Sequence, residues 1–444
     1  MKKVGWKKVV CLLAVFALLV TPLGGCSSPA AEADNEDPGS GGSEEKIKLE
    51  FWHGMTAGDA LFIIEDAVAR FMDDHPEYDV EAVGIQSDSY KQRLQIAMGT
   101  DSLPDVFFHW TGGPMIEYIN AGKIQDITDL MNQDGYVDRF LDGGIAQATH
   151  DGKIWAVPGE STTVAGLFYN KDIFERLDIE VPATIDDLES AADTLLANGI
   201  TPFALANQAK WPGSMWYMYL ATRYGGVEPF ANAANRAGGS FEDPAFVYAG
   251  EKITEWVEKG YFNQGVNGLD EGAGQARNLF YNEDTAMYLM GSWFLSIAGG
   301  GENPEFLDKV GMMPFPQATE GTGDPNIVVG TIGDNFYSIS ANTVDRDGAF
   351  KLIQYLTDDV ANQMRVERSR NNPPVKGMVY TDPMNILVQE LVEGAPAVQL
   401  WYDQYLPPEL AQVHLDTTQQ LFGLNMDPET AARTVEEAAG NILQ

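Results

Sequence analysis

Cysteine is almost missing: Cys11 and Cys26 are the only two in 444 residues. A fold stapled by disulfides is excluded, because small secreted scaffolds of that kind need a dense, even set of cysteines. Positive charge is scarce too, with 28 Lys and Arg against 65 Asp and Glu and a net charge of −37. So acidic a surface repels phosphate backbones, which argues against nucleic acid as a partner. A strongly anionic ligand would need a local basic pocket. Histidine is rare, with five in the chain and none paired at metal-ligand spacing, so no metal or other cofactor is expected. A Gly-x-Ser-x-Gly elbow is absent. The stretch Gly272-Ala273-Gly274-Gln275-Ala276 is a poor dinucleotide fingerprint, since Arg277 replaces the third glycine and no strand precedes it. It reads as a loop entering a helix, and no catalytic residue is assigned. Long apolar runs are limited to one, from Val9 to Val20.

That run has a recognisable setting. Lys2, Lys3, Lys7 and Lys8 precede it, and Leu23-Gly24-Gly25-Cys26 follows. A basic start, a short apolar stretch and small residues before a cut make a secretory signal. The run is shorter than the roughly 20 residues that span a bilayer. A cysteine at the cut resembles the lipobox of bacterial lipoproteins, in which the thiol takes a diacylglycerol and becomes the mature N-terminus. The resemblance implies a signal peptide over 1–25 and lipidation of Cys26. It also implies a protein anchored by lipid to the outer face of the cell membrane, and such a tether suggests a Gram-positive-type envelope, where a soluble receptor would be lost. Cys11 would leave with the signal. Residues 27–45 are Ser, Pro, Ala, Gly, Asp, Asn and Glu, so 26–45 reads as an anchor residue plus a flexible acidic linker.

About 400 residues remain, enough for two domains with large cores. Ile47, Leu49 and Phe51 alternate with Lys48 and Glu50, which predicts a strand ending at Trp52-His53-Gly54. A helix should follow, with Leu61, Ile64, Ala67, Val68 and Phe71 on one face. A strand over 80–85, a helix over 90–98 and a strand at Val106-Phe107-Phe108 come next. Strands alternating with helices argue for an α/β fold with a parallel sheet, whose ligands sit beyond the carboxyl ends of the strands. Asp151–Pro158 reads as a turn feeding a short strand, and Val164–Tyr169 as another. Helices should dominate 171–300. Thr184 with Asp187 reads as a capping box, and Asp243-Pro244 and Asp427-Pro428 as N-caps followed by a first-turn proline. Strands return at 285–290, 310–314 and 335–340, and the last 90 residues read as helical.

Nine tryptophans occur. Trp256 shares a helical face with Ile253 and reads as core, and Trp155 reads as structural. Trp52, Trp110, Trp211, Trp216, Trp293 and Trp401 lie mostly at strand ends, loops or helix starts. Such a Trp is a platform for the apolar face of a sugar ring, whose C–H groups meet the negative face of the indole. Together with Asp, Glu, Asn and His neighbours, the six suggest a carbohydrate cleft.

The chain then resembles the family 1 extracellular solute-binding proteins, the maltose-binding-protein-like receptors of bacterial ABC sugar importers. The resemblance rests on Leu49-Glu50-Phe51-Trp52-His53-Gly54, Leu103-Pro104-Asp105-Val106 and Asp151–Pro158. It continues through Leu167-Phe168-Tyr169-Asn170-Lys171, Ala286-Met287 followed by Gly291-Ser292-Trp293, and the region around Trp401. It implies a two-lobe periplasmic-binding-protein fold of class II type, with the ligand between lobes joined by three crossings. Lobe one would be 46–158 plus 316–372, and lobe two 159–315 plus 373–444. The crossings would fall near Pro158–Thr162, Pro314–Gln317 and Asn371–Val375. Carried over by position, Trp52, His53 and Trp110 would line lobe one's edge of the cleft. Glu160 would accept hydroxyl hydrogen bonds. Trp293, Trp401 and Trp211 or Trp216 would stack from lobe two, and Asp334 with Asn335 would supply a further acceptor. His109 is expected to point into lobe one.

The function this implies is a monomeric receptor that captures a carbohydrate, closes, and hands it to a membrane permease without covalent chemistry. Two other readings stay open on the residues alone. One is a receptor for a polyamine or similar cation, held by Trp and carboxylate cages. The other is a secreted glycoside hydrolase, which needs two facing carboxylates.

Overall fold

The computed structural model describes residues 46–443; the signal, Cys26 and the linker lie outside the described residues. Twelve strands occur in chain order: β1 (Ile47–His53), β2 (Tyr78–Gly84), β3 (Val106–His109), β4 (Thr149–His150), β5 (Lys153–Ile154), β6 (Ser161–Asn170), β7 (Thr201–Ala204), β8 (Thr285–Gly291), β9 (Val310–Met313), β10 (Val328–Asp334), β11 (Phe336–Ile339) and β12 (Val398–Gln399). They build two separate sheets, plus the small β4–β5 hairpin.

The first sheet runs β11-β3-β1-β2. β1 is parallel to both β2 and β3, while β11 is antiparallel to β3. A parallel pair needs a crossover, and the helix Gly58–Asp74 supplies the one between β1 and β2. It buries Ile63, Ile64, Ala67, Val68 and Phe71, an i, i+3, i+4 stripe on the predicted face. A core of Leu49, Phe51, Val106, Phe107, Phe336, Ile339, Leu352 and Ile353 fills this lobe.

The second sheet runs β12-β10-β6-β8-β7, with β9 also on β6. β6 is long enough to pair with β10 through its first half and with β9 through its second. Every residue of β8 is buried, as expected of a strand covered on both faces. Around it the helix Trp211–Gly225 is buried on all sides, from Pro212 to Arg223. The helices Pro244–Glu258, Pro408–Phe422 and Pro428–Ile442 each begin with proline in the first turn. The capping box at Thr184 and Asp187 is complete, and Asp243 and Asp427 cap as expected.

One boundary moves. The second crossing was expected at 314–317, yet β10 pairs with β6 and β12 and its Val328 and Val329 join the core of lobe two. Residues 328–334 therefore belong to the second sheet, and the chain changes sheets between Asp334 and Phe336. The physical marker is a register shift between Ile332 and Asp334, with Gly333 at φ +91 and Asn335 at φ +59. Such a bulge bends the strand and re-aims the side chain that follows. The first crossing lies beside it: Val157 and Tyr337 exchange backbone hydrogen bonds of 2.8 and 2.9 Å, and Glu160 N–H donates to Asp334 O at 2.9 Å. Segment 372–375 completes the bundle, Asn372 O accepting from Thr162 N–H at 2.6 Å and Pro374 O from Leu141 N–H at 2.9 Å.

Candidate functional site

Three tryptophans from distant parts of lobe two converge. Trp293 opens the short helix after β8, where Ser292 N–H donates to Val164 O at 2.8 Å and fixes the turn. Gly291 leaves room for the indole; a Cβ there would run into the Trp293 ring. Trp211 opens the helix Trp211–Gly225, and Trp401 precedes the helix Tyr402–Tyr405. Trp293 is the middle member, with its ring centroid 5.9 Å from Trp211 and 5.8 Å from Trp401, both edge-on. Trp211 and Trp293 are half-buried, whereas Trp401 is buried.

A polar group forms at the crossings. Asn335 Nδ2 donates to Glu160 Oε2 at 3.1 Å, and Asp334 Oδ1 accepts from Asn335 N–H at 3.0 Å. Burial pushes Asp334 up to about 7; Glu160 and Asp403 add to the rise, while the Asn335 N–H and Lys91 oppose it. Burial also raises Glu160, against the pull of Arg365 and the Asn335 hydrogen bond. Trp110 follows β3, half-buried, with Lys91 Nζ 4.8 Å from its ring centroid. Lys91 also lies 3.6 Å from Asp403, two residues past Trp401. That ion pair ties the helix Ser87–Thr100 of lobe one to lobe two.

The lobes touch at further places. Gly112 and Gly113, entering the helix Gly113–Asn120, approach the carbonyls of Gln404 and Leu406 so closely that neither could carry a Cβ. Gln86 abuts Gly272, and Gly58 faces the carbonyl of Gly300. The two lobes thus touch at several points beyond the crossings.

Three predicted residues are placed elsewhere. Trp52 is 5% exposed, its Nε1–H donating to Glu50 Oε1 at 2.6 Å and its ring covered by Arg93 at 4.0 Å. It packs under the helix Ser87–Thr100 and offers no free face. His53 is buried against Phe51, and burial lowers its imidazole to about 4, so it is neutral. Trp216 lies at the centre of lobe two's core among Phe203, Trp256, Phe262 and Phe315. In this structure all three are packed within the lobes. His109 points into lobe one, bonded to Trp110 O and Ser338 Oγ at 2.8 and 2.7 Å. Lys91, Asp403 and Arg365 were missed. Arg365 is 2% exposed and sits beside Glu160 and Tyr337. A cation in an exposed-looking helix carries no sequence signal of its own until the fold brings it to a carboxylate.

The set combines aromatic faces, carboxylate acceptors, and amide and ammonium donors, which suits recognition of a polyhydroxylated ligand by stacking and charge-assisted hydrogen bonds. Among the described residues, no group of three or more His, Cys, Asp or Glu could hold a metal ion. Nor is any described helix long and apolar enough to cross a membrane.

Residues 60–363 match the family described as bacterial extracellular solute-binding protein. The chain belongs to that family, whose members are binding proteins acting outside the cytoplasm. Among relatives, the multiple sugar-binding protein of Streptococcus mutans serotype c is 26% identical over 382 residues, covering 84% of each chain. A solved structure from work on xylan utilization by the thermophilic bacterium Caldanaerobius polysaccharolyticus aligns with TM-score 0.82 and 28% identity, over 88% of this chain and all 100% of that one. A chitin oligosaccharide binding protein aligns with TM-score 0.80 and 23% identity, over 89% of this chain and 99% of that one. The two-lobe periplasmic-binding-protein fold is therefore shown.

Proposed function

We propose that this protein is the receptor of an ABC importer, capturing a sugar or oligosaccharide between its lobes and delivering it to a membrane permease by lobe closure. The observation that carries the reading is the contiguous Trp211–Trp293–Trp401 surface, with Asp403 two residues beyond it reaching Lys91 near Asp334. Stacking by Trp293, Trp211 and Trp110 would orient sugar rings, and Glu160, Asp334 and Asn335 would bind hydroxyl groups. On this reading no bond of the ligand is broken. The protein works as a monomer, held by a lipid on Cys26 and the acidic linker within reach of the permease. The relatives' names, which speak of sugars and chitin oligosaccharides, support the same ligand class.

A second reading has one observation in its favour: Glu160, Asp334 and Asp403 gather three carboxyl groups in one part of the cleft, which suits a cationic ligand such as a polyamine. A thermal-shift panel separates them, because a bound ligand raises apparent stability by mass action. Xylo-, chito- and malto-oligosaccharides, raffinose and spermidine would be compared. A saturable rise with at least one oligosaccharide and none with spermidine is expected; the reverse would replace the sugar reading by the second.

A further inference from the structure

The segment from Trp401 to Leu406 is anchored in lobe two at several points. Tyr402 is buried, its ring stacked on Phe230 with centroids 3.7 Å apart at 2°. Asn235 Nδ2 donates to the Tyr405 hydroxyl at 2.8 Å, and that hydroxyl donates back to Asn235 Oδ1 at 3.1 Å. Leu406 is part of the lobe's core. Trp401, where the segment starts, packs edge-on against Trp293 at 5.8 Å. The segment and the tryptophan wall therefore move as one body.

Two features of lobe one meet it. The first is Lys91, whose Nζ lies 3.6 Å from Asp403 Oδ2 and 4.8 Å from the Trp110 ring centroid. The second is bare backbone at Gly112-Gly113, where the chain leaves Trp110 and enters the helix Gly113–Asn120. Gly112 has φ +76, which by itself favours glycine. Gly113 has no such φ, and at a helical position alanine is the better former. What excludes a side chain there is lobe two. A Cβ on residue 113 would overlap Leu406 O, and would lie 2.6 Å from the Leu406 carbonyl carbon and 2.9 Å from Pro407 N. The contact between lobes, not the local backbone, accounts for this glycine.

We propose that Trp401–Leu406 is a latch joining the tryptophan wall to lobe one, with Gly112-Gly113 as the pad that receives its carbonyls and Lys91 as the partner of Asp403. The proposal rests on the receptor reading above and adds residues that act on closing rather than on the sugar. A glycine offers the ligand no side chain, yet affinity should depend on Gly113, because apparent affinity falls with the fraction of protein able to reach the binding-competent form.

Isothermal titration and small-angle X-ray scattering with the oligosaccharide giving the largest thermal shift test this. Gly113→Ala should weaken binding by about tenfold or more, and its sugar-saturated radius of gyration should stay above that of the parent. Lys91→Met should weaken binding by about two- to fivefold, the range of a partly exposed ion pair, and affinity should lose part of its dependence on sodium chloride. Gly99→Ala is the control: it lies on the same helix as Lys91, a Cβ there meets open space, and it should bind as the parent does. Circular dichroism checks folding. If Gly113→Ala does not fold, the exchanged pair K91D/D403K decides, since a latch predicts that it regains affinity lost in Lys91→Met and no recovery would overturn the proposal. Parent-like affinity in Gly113→Ala would overturn it. So would weakened binding with full compaction, which would mark local damage beside Trp110, or an equal loss in Gly99→Ala. A parent protein that binds no oligosaccharide would overturn the receptor reading and the latch together, so the two failures are distinguishable.

Discussion

Replacing Trp293 with alanine isolates the stacking surface. Trp293 is half-buried between Trp211 and Trp401, so one part of the indole packs and another remains for a ligand. An aromatic side chain buries about 150–250 Å² when fully covered, so a sugar ring on the open part removes roughly 80–100 Å² from water. At about 25 cal/mol per Å² that is worth about 2 kcal/mol, or roughly thirtyfold in Kd. Isothermal titration with the oligosaccharide giving the largest thermal shift measures it. Trp216→Ala is the contrast: its indole is fully buried, so the change should lower unfolding stability by about 3–5 kcal/mol without a comparable loss of affinity. Trp401, at 3% exposure, should fall between, losing stability and weakening binding by about 1–3 kcal/mol through the misplaced Trp293. Unchanged affinity in Trp293→Ala would refute the reasoning and remove lobe two's proposed stacking wall.

Other expectations follow from the buried charges. Asp334 is raised from 3.8 to about 7, so between those values the folded state binds more protons than the unfolded chain and stability declines as pH rises. Asp334→Asn should flatten that decline in urea titrations, and sugar affinity in the parent protein should weaken as pH falls below about 7 if ionised Asp334 accepts hydroxyl bonds. Glu271 holds the buried Arg277 at 2.7 Å and the Tyr288 hydroxyl at 2.5 Å. Glu271→Ala would leave that guanidinium with Glu302 as its only carboxylate partner and should cost about 3–5 kcal/mol of stability, whereas Glu271→Gln should cost less. If the lipid anchor is as proposed, Cys26→Ser should move the protein from the membrane fraction to the medium with ligand affinity intact.

Much of the framework was legible because it depends on local pattern. The alternation in β1, the apolar stripe of the helix Gly58–Asp74 and the caps at Thr184, Asp243 and Asp427 are set within a few residues. β10 was missed because Val328-Val329-Gly330 is short, carries a glycine and follows a Gly- and Pro-rich loop, so its pairing with β6 comes only from the fold. The site divides in the same way. Trp293 follows Gly291-Ser292 and Trp401 follows Gln399-Leu400, and the two converge. Trp216 sits in a helix buried on every side, where periodicity cannot distinguish core from cleft. The fate of Trp52 was decided by Arg93, far along the chain, whose guanidinium covers the indole.

Small-angle X-ray scattering, with and without the preferred oligosaccharide, tests the central claim most directly when the same sample is then analysed by mass spectrometry. A receptor that closes around its sugar predicts a smaller radius of gyration on binding, reversed by dilution, with the sugar recovered intact. An unchanged radius at saturation, or shortened sugars in the sample, would contradict it.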